Sequence, residues 1–291
     1  TVHGSQHRHP DEYSTTQVLS LLGANGPADA LGLAWIADPH LHFPGREPLT
    51  YYHRTGPVGD MFWEFWQQNK QHPGRNEDVA CIGLGTGSLA SYALPARKMT
   101  FFEIDWTVRR LVEEPKHFTY IQRAKDQCGP ENIEFIMGDA RLSLEQTDRK
   151  WGLMLIDAFS SDSIPAHLLT KQALELYFSR LSDDGLLALH ISNRYLKLEP
   201  VVDQIVRSLG YAALKRSDHT EDSIYPEKVE VSGKLASSWV IVAKKKEAFG
   251  DLLEDPNWGS LENRPSVGLW TDDYTPITKA LENGWWTLFG R

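Results

Sequence analysis

The chain has 291 residues, of which 41% are hydrophobic, and it carries a formal net charge of −9 with a pI near 5.7. This composition predicts a globular protein with one large domain, or one domain with additions. The acidic balance argues against a nucleic-acid partner and suits a cationic small substrate. Because Cys81 and Cys128 show neither metal nor disulfide spacing, we expect no zinc site and a reducing, cytoplasmic location.

The first 75 residues carry the weakest structural signals. His3, His7 and His9 lie in a polar stretch without nearby acids or cysteines, which favours exposed side chains over a metal site. Residues 23–48 are rich in Gly, Pro and Ala, as is typical of a loop. Since no apolar run in the whole sequence is long enough to span a bilayer, we expect these 291 residues to make no membrane contact.

Aromatic residues at helical spacing follow this loop. They predict a core-facing helix that begins near Asp60, with Asp60 as its N-cap. The residues on the predicted apolar face are Met61, Phe62, Phe65 and Trp66.

A glycine-rich turn comes directly after a short apolar run. Val79–Ile82 predicts a strand buried on both faces. Gly83, Gly85 and Gly87 then stand where a sharp turn needs positive φ and room for a ligand. The pattern is GxGxG with no lysine of the phosphate-binding kind after it, so it favours a nucleoside without phosphates, such as an adenosyl sulfonium compound. The alternative is an ordinary turn from a strand into a helix.

Two acids end the second predicted strand. We predict a helix over 88–96 and a strand over 99–104. Glu103 and Asp105 come about 16 to 18 residues after the last glycine, close to the carboxylate that accepts hydrogen bonds from ribose hydroxyls in nucleotide-binding βαβ units.

A third acid follows the next predicted strand. Residues 106–127 predict a helix with a break at Pro115, and residues 133–137 predict a strand that leads to Asp139. An acid at this strand end can accept a hydrogen bond from an adenine amino group. The alternative is that Asp139 caps the following helix.

The fourth predicted strand, Leu153–Ile156, ends in Asp157, and Asp162 follows in a loop closed by Pro165. Two carboxylates at a strand end and in the loop over it can hold a cationic amine and take its proton. The alternative is that both acids cap turns. Asp272 and Asp273, near the end of the chain, either reach the active site or begin a final helix.

The remaining pattern predicts helices and strands that complete an α/β sheet with an antiparallel closing pair. The predicted helices are 171–181 and 199–209, the latter ended by Gly210, and the predicted strands are 185–191, 211–215 and 238–242. We expect an N-terminal region over 1–75, a catalytic domain over 76–246 and a tail over 247–291 that packs on it.

Several motifs resemble those of the aminopropyltransferase family of spermidine and spermine synthases. The resemblance is greater to the branch that is often fused behind a transporter-like membrane region. The matching pieces are HGSQ at 3–6, TYYH at 50–53, GLGTGS at 83–88, FEID at 102–105, GDAR at 138–141, IDAFSSDSIPAHLLT at 156–170, HISNRYL at 190–196 and LWTDDYT at 269–275.

The resemblance implies a Rossmann-like, class I methyltransferase-type α/β fold, with a mostly parallel sheet, behind a small N-terminal β-region. It also implies a homodimer. The implied activity transfers an aminopropyl group from decarboxylated S-adenosylmethionine to a diamine such as putrescine and releases methylthioadenosine, without a metal.

Matched by position, the resemblance also implies individual roles. Glu103 would hold the ribose, Asp139 and Ala140 would border the adenine, and Asp157 would be the base or amine anchor. The other implied contacts are Asp162 and Tyr52 to the acceptor, and Gln6, Gly83, Gly85, Thr86, Gly87 and Asp105 to the donor.

A departure from the family pattern at Thr86 favours another hypothesis. The family's glycine loop reads GGGDG, and its Asp grips the aminopropyl ammonium, whereas Thr86 stands there in this chain. Thr86 favours intact S-adenosylmethionine and a methyltransferase, but Cys81 replaces the Asp that begins the usual methyltransferase loop. A third hypothesis is a non-catalytic domain that binds a nucleoside or polyamine.

Overall fold

The computed structural model describes residues 47–158, 165–218 and 233–281, and these residues are built around one seven-stranded sheet. Its spatial order is β3-β2-β1-β4-β5-β7-β6. The strands are β1 (Val79–Ile82), β2 (Met99–Glu103), β3 (Ile133–Met137), β4 (Trp151–Ile156), β5 (Leu181–His190), β6 (Ala212–Asp218) and β7 (Ser237–Ala243).

The sheet is parallel from β3 through β5, and β7 runs antiparallel to both β5 and β6. Helices join the parallel strands, as such crossovers require. This arrangement confirms the predicted Rossmann-like, class I methyltransferase-type α/β fold and the antiparallel closing pair. The helices are α1 (Pro57–Gln71), α2 (Trp106–Glu113), α3 (Tyr120–Cys128), α4 (Ala140–Glu145), α5 (Lys171–Ser179) and α6 (Glu199–Leu209).

Both faces of the sheet are covered by apolar side chains. Along β4, Leu153 and Leu155 join the cluster on one face, while Met154 and Ile156 join the cluster on the other. Successive side chains of a strand point to opposite faces, so a strand covered on both sides reads as an uninterrupted apolar run. This is why the buried strands could be located from sequence.

Short 3₁₀ turns replace or extend some of the connections. The helix predicted over 88–96 is only a 3₁₀ helix, Ser88–Tyr92, because Ala93 is already extended (ψ 140°) and Pro95 follows. The other 3₁₀ segments are Pro130–Asn132, Ala166–Leu168, Lys246–Leu253, Pro265–Val267 and Ile277–Ala280.

Asp60 is not the N-cap of α1, so that prediction was wrong. The helix begins at Pro57 after Gly56, because proline at the first helical position already has the required φ. Asp60 lies in the first turn, where it accepts hydrogen bonds from Arg216 and from the indole N–H of Trp258 (3.1 Å). Burial raises the pKa of its carboxyl group in spite of the neighbouring arginine.

The predicted apolar face of α1 is confirmed, since all four of its residues are buried. Those residues are Met61, Phe62, Phe65 and Trp66. The proposed N-terminal β-region falls mostly on residues 1–46, outside the described residues, as do His3, His7 and His9. Before β1, the described chain contributes one isolated parallel bridge, between Thr50 and Lys234. In the described ranges, every helix is too short or too polar to cross a membrane.

Buried tyrosines make the fold sensitive to high pH. Burial raises the pKa of Tyr120 to about 12 and also raises the pKa values of Tyr92 and Tyr177. A pKa raised in the folded state stabilises the protein below the unfolded pKa of about 10, and this stabilisation is lost as the pH rises above it. We expect the free energy of unfolding to fall above about pH 10, by about 1.4 kcal/mol per pH unit for a tyrosine such as Tyr120.

Urea unfolding at several alkaline pH values, followed by tyrosinate absorbance, measures this effect. Tyr120→Phe should reduce the slope. If the buried tyrosines ionise in the folded protein near pH 10, with no change in stability, the prediction is wrong.

Candidate active site at the carboxyl ends of the strands

A cavity of about 360 Å³ lies beyond the carboxyl ends of β1 to β4. Its walls include Gly83, Glu103, Asp139 and Asp157, which lie at or just beyond these four strand ends. Ligands of open α/β sheets bind in this position, and the volume is within the usual range for ligand pockets, about 300–1,000 Å³. The structure therefore brings together acids that are far apart in the sequence.

The glycine turn allows the ends of β1 and β4 to approach closely. Gly83 has φ 99°, and a Cβ atom there would lie 2.1 Å from the backbone oxygen of Asp157. A hydrogen bond also joins the two strand ends, because the backbone N–H of Asp157 donates to the carbonyl oxygen of Ile82 at 2.8 Å. Asp157 can therefore occupy its observed position only if the residue at position 83 has no side chain.

Glu103 and Asp105, at the end of β2, have different surroundings. The Glu103 carboxylate accepts backbone N–H groups of Leu84 (3.1 Å) and Asp105 (2.8 Å), which fix its orientation beside the glycine turn. Because a carboxylate offers about four acceptor positions, Glu103 can still accept hydroxyl groups of a ligand. Asp105 is exposed and caps α2 through the N–H of Thr107 at 2.7 Å, and this hydrogen bond lowers its pKa.

Asp139 caps α4 and also lies at the wall of the cavity. One carboxylate oxygen caps α4 by accepting the N–H of Leu142 at 3.0 Å, and the other lies 3.6 Å from Nε2 of His167. Asp139 and Ala140 also line the cavity. A contact with adenine thus remains a prediction, whereas the cap is present in the structure.

We expect Asp139→Ala to lower the free energy of unfolding by about 1 kcal/mol in the absence of any ligand, because α4 loses its N-cap. Asp139→Asn should restore most of this stability, since the asparagine oxygen can accept the same N–H. Urea unfolding of both variants measures the difference. Equal stability of Asp139→Ala and the unmodified protein would mean that the cap contributes nothing.

Asp157 is the most constrained acid of the cavity, with a side chain only 4% exposed. One carboxylate oxygen lies 2.8 Å from Nδ1 of His190, and the other accepts the hydroxyl of Tyr52. Burial alone would raise the pKa of this carboxyl group. The electrostatic attraction and hydrogen bond of His190, with the hydroxyls of Tyr52 and Tyr51, outweigh burial and hold the pKa below its ordinary value. Asp157 is therefore a buried carboxylate anion at neutral pH.

The structure gives less support to the other residues that were predicted to contact the donor or the acceptor. Gly85 lines the cavity, but Thr86 and Gly87 are not among its lining residues. The side chain of Thr86 is fully buried, with its hydroxyl 2.7 Å from that of Ser88, so its position does not support a contact with the donor. Gln6 and Asp162 lie outside the described residues, and their predicted roles stay predictions.

Asp272 fulfils neither of the expectations for the end of the chain. It accepts two hydrogen bonds from Arg141 (2.8 and 2.7 Å) and one from the hydroxyl of Thr170 (2.6 Å). These contacts lower its pKa and attach this part of the chain to α4 and to the start of α5. Asp273, next to it, lies in a turn.

Sequence reasoning missed His190 and Tyr51 as parts of this site. His190 is the last residue of β5, and its ring stacks on that of Tyr51 with centroids 4.6 Å apart. The sequence signal for His190 was a polar residue near the end of a predicted buried strand. The structure adds that this strand lies beside the strand that ends in Asp157. Across the three described ranges, no group of three or more His, Cys, Asp or Glu residues could hold a metal ion.

The fold and the cavity define a Rossmann-like α/β protein of the class I methyltransferase type, with an acidic cleft at the strand ends. No protein-family model matches the chain. A segment is similar to a polyamine aminopropyltransferase of Vibrio vulnificus (strain CMCP6), with 32% identity over 117 residues, 38% of this chain and 36% of the relative. The match spans only about a third of the relative's length.

Solved structures with a similar arrangement include both kinds of transferase. A spermidine synthase from Thermotoga maritima has a TM-score of 0.42 and 16% identity, with 69% of this chain and 68% of that chain covered. An O-methyltransferase from Bacillus cereus has a TM-score of 0.42 and 13% identity, with 79% and 96% covered. The finer relation to the transporter-fused branch stays a prediction.

Proposed function

We propose that this chain is an aminopropyltransferase. It would transfer an aminopropyl group from decarboxylated S-adenosylmethionine to a diamine such as putrescine and release methylthioadenosine. The observation that carries the proposal is the buried Asp157 carboxylate, which lines the same cavity as Glu103. The relation to a polyamine aminopropyltransferase over one segment supports it further.

The residues around the cavity fit a nucleoside at one end. The bare backbone of Gly83 permits close approach, and Glu103 is oriented to accept ribose hydroxyls. Apolar walls from Ile82, Phe102 and Ile104 suit the uncharged faces of a nucleoside. Asp105 serves α2 as a cap, which makes Glu103 the better candidate for the ribose.

The other end of the cavity fits a cationic amine. Asp157 supplies a negative charge that is shielded from water, and the rings of Tyr51 and Tyr52 also line the cavity. Ammonium groups are attracted both to carboxylates and to the faces of aromatic rings. This combination would hold an amine close to the sulfonium end of a bound donor.

The reaction requires little beyond this placement. The amine nitrogen forms a bond to the carbon next to the sulfonium, the C–S bond breaks, and its electron pair stays on sulfur as a thioether. Before this bond forms, the cationic amine must lose one proton, because an ammonium nitrogen has no free electron pair. Asp157 orients the amine and accepts that proton, while the cavity keeps the two reactants in line.

Calorimetric binding of decarboxylated S-adenosylmethionine, intact S-adenosylmethionine and methylthioadenosine, followed by product analysis with putrescine, tests the proposal. We expect the decarboxylated donor to bind more tightly than the intact one. We also expect methylthioadenosine and an aminopropylated amine to form in equal amounts.

Two other results would replace this proposal. Tighter binding of intact S-adenosylmethionine, without an aminopropyl product, would identify a methyltransferase. Binding of the nucleoside without any turnover across a panel of amines would identify a non-catalytic binding domain.

A further inference from the structure

His190 occupies an unusually well-defined position beside the candidate site. Its imidazole lies between two aromatic rings, Tyr51 at 4.6 Å and Trp239 at 4.8 Å between centroids, with interplanar angles of 21° and 20°. Only 7% of the residue is exposed. Stacking on both faces leaves the two ring nitrogens, at the edge of the ring, as its polar contacts.

Each nitrogen has a partner at 2.8 Å: Nδ1 faces the Asp157 carboxylate, and Nε2 faces the hydroxyl of Ser192. An ionised carboxylate only accepts hydrogen bonds, so Nδ1 must carry a proton. In the neutral ring Nε2 is then the acceptor, and Ser192 donates its O–H to it. The backbone N–H of Ser238 donates to the same serine oxygen at 2.8 Å, which holds the hydroxyl in place.

This arrangement gives the Asp157–His190 pair two charge states. With a neutral imidazole the pair carries one negative charge, and that charge faces the cavity. When Nε2 carries a second proton, the Ser192 oxygen can turn to accept it. The pair then has no net charge, and it no longer attracts a cation from the cavity.

We propose that His190 is a positioning residue that orients Asp157 and sets the charge of the amine end of the site, so that cationic acceptors bind only while the imidazole is neutral. The proposal rests on the proposed aminopropyl transfer and specifies how its acceptor is recognised. His190 acts through Asp157 and needs no contact with the substrate.

The groups that surround the imidazole come from several parts of the chain. The titratable groups in the described part of the chain include Asp157 from the end of β4, and Tyr51 and Tyr52 from the segment before α1. Burial and the Asp157 charge raise the pKa values of both tyrosines, so they stay neutral over the pH range of histidine titration. Ser192 and Trp239 are the uncharged neighbours.

Three variants test this role with decarboxylated S-adenosylmethionine and putrescine as substrates. His190→Gln keeps a donor for Asp157 and a partner for Ser192 but cannot take up a proton. His190→Leu removes both hydrogen bonds. His117→Gln makes the same exchange at an exposed position, where the side chain is 43% exposed, and serves as the matched control.

We expect His190→Gln to have a putrescine KM within about threefold of the unmodified enzyme at about pH 8, with a similar kcat, because the donor to Asp157 is retained. The amine titrates in the same way in both enzymes, so the ratio of their KM values isolates His190. This ratio, variant over unmodified, should fall at least about tenfold between about pH 8 and about pH 5.5, because only the unmodified enzyme loses affinity. The His117→Gln ratio should stay constant.

His190→Leu should raise the putrescine KM about 10- to 100-fold at about pH 8, the effect of removing a hydrogen bond to a charged group. Calorimetric affinity for methylthioadenosine should change less than about threefold in every folded variant, since the donor end is untouched. If His190→Leu does not fold, the pH dependence of His190→Gln still decides the question.

A pH-independent KM ratio for His190→Gln in an active enzyme would overturn this proposal and leave the aminopropyltransferase proposal intact. If the unmodified protein forms no product with these substrates, the proposed function fails, and the role of His190 fails with it.

Discussion

Asp157→Asn is expected to remove most of the turnover, by a factor of about 100 to 10,000, while the affinity for methylthioadenosine changes little. The substitution keeps the size of the side chain but removes its negative charge and most of its basicity. It thereby removes both functions that we assign to Asp157, attraction of the cationic amine and acceptance of its proton. Glu103 and the glycine turn, which would hold the nucleoside, are unchanged.

The fold should tolerate this substitution because the neighbours can adapt. Tyr52 donates to one side-chain oxygen of Asp157, and the asparagine oxygen can accept the same hydroxyl. The asparagine NH₂ then faces Nδ1 of His190, and the imidazole accepts it by moving its own proton to Nε2, towards Ser192. Every polar group keeps a partner.

Single-turnover product formation and calorimetric binding of methylthioadenosine separate the two effects. Asp183→Asn is the matched control, because Asp183 pairs with Lys244 at the surface (3.0 Å) and makes no contact with the cavity. Unchanged turnover in Asp157→Asn would refute the proposed mechanism. Parallel loss of turnover and of nucleoside affinity would instead mean that Asp157 maintains the shape of the cavity.

The buried strands could be predicted because their signal is local. The strand over 133–137 and the helix over 199–209 match the structure residue by residue, since an apolar run or a helical periodicity is complete within its own segment. Strand β5 begins at Leu181, four positions before the prediction of 185. Residues 182–184 are polar, and a register shift against β4 separates Leu181 from the long apolar part of the strand.

The partners of Asp157 could not be predicted, because they come from distant parts of the chain. Tyr52 is 105 positions away and His190 is 33 positions away. A strand-end acid is a recognisable sequence feature, but the groups that hold it ionised depend on which strands become neighbours. Here β5 lies beside β4, and that adjacency is what places His190 next to Asp157.

Thr86 illustrates a different limit of sequence matching. It stands where the resemblance places an acid that grips the donor, and the match assigned it to the ligand. In the structure its side chain is fully buried beside Ser88. A motif fixes the position of a residue along the chain, whereas the direction of its side chain depends on the φ and ψ angles of the turn.

Gly83→Ala is expected to lower the free energy of unfolding by about 3–5 kcal/mol and to abolish nucleoside binding. Two effects add. The residue has φ 99°, which is unfavourable for any residue with a Cβ atom, and the new Cβ would lie 2.1 Å from the backbone oxygen of Asp157. The neighbouring atom belongs to the backbone of a buried strand end, so it cannot move without displacing Asp157 itself.

Gly74→Ala separates these two effects. Gly74 has φ 100°, almost the same as Gly83, but nothing lies within 4 Å of the added Cβ. This control should cost only the conformational penalty, about 1–2 kcal/mol, and should leave methylthioadenosine binding unchanged. Urea unfolding and calorimetry on both variants measure the difference. If Gly83→Ala is no less stable than Gly74→Ala and still binds methylthioadenosine, then the close approach of β1 to Asp157 is not required, and a side chain at position 83 is compatible with the site.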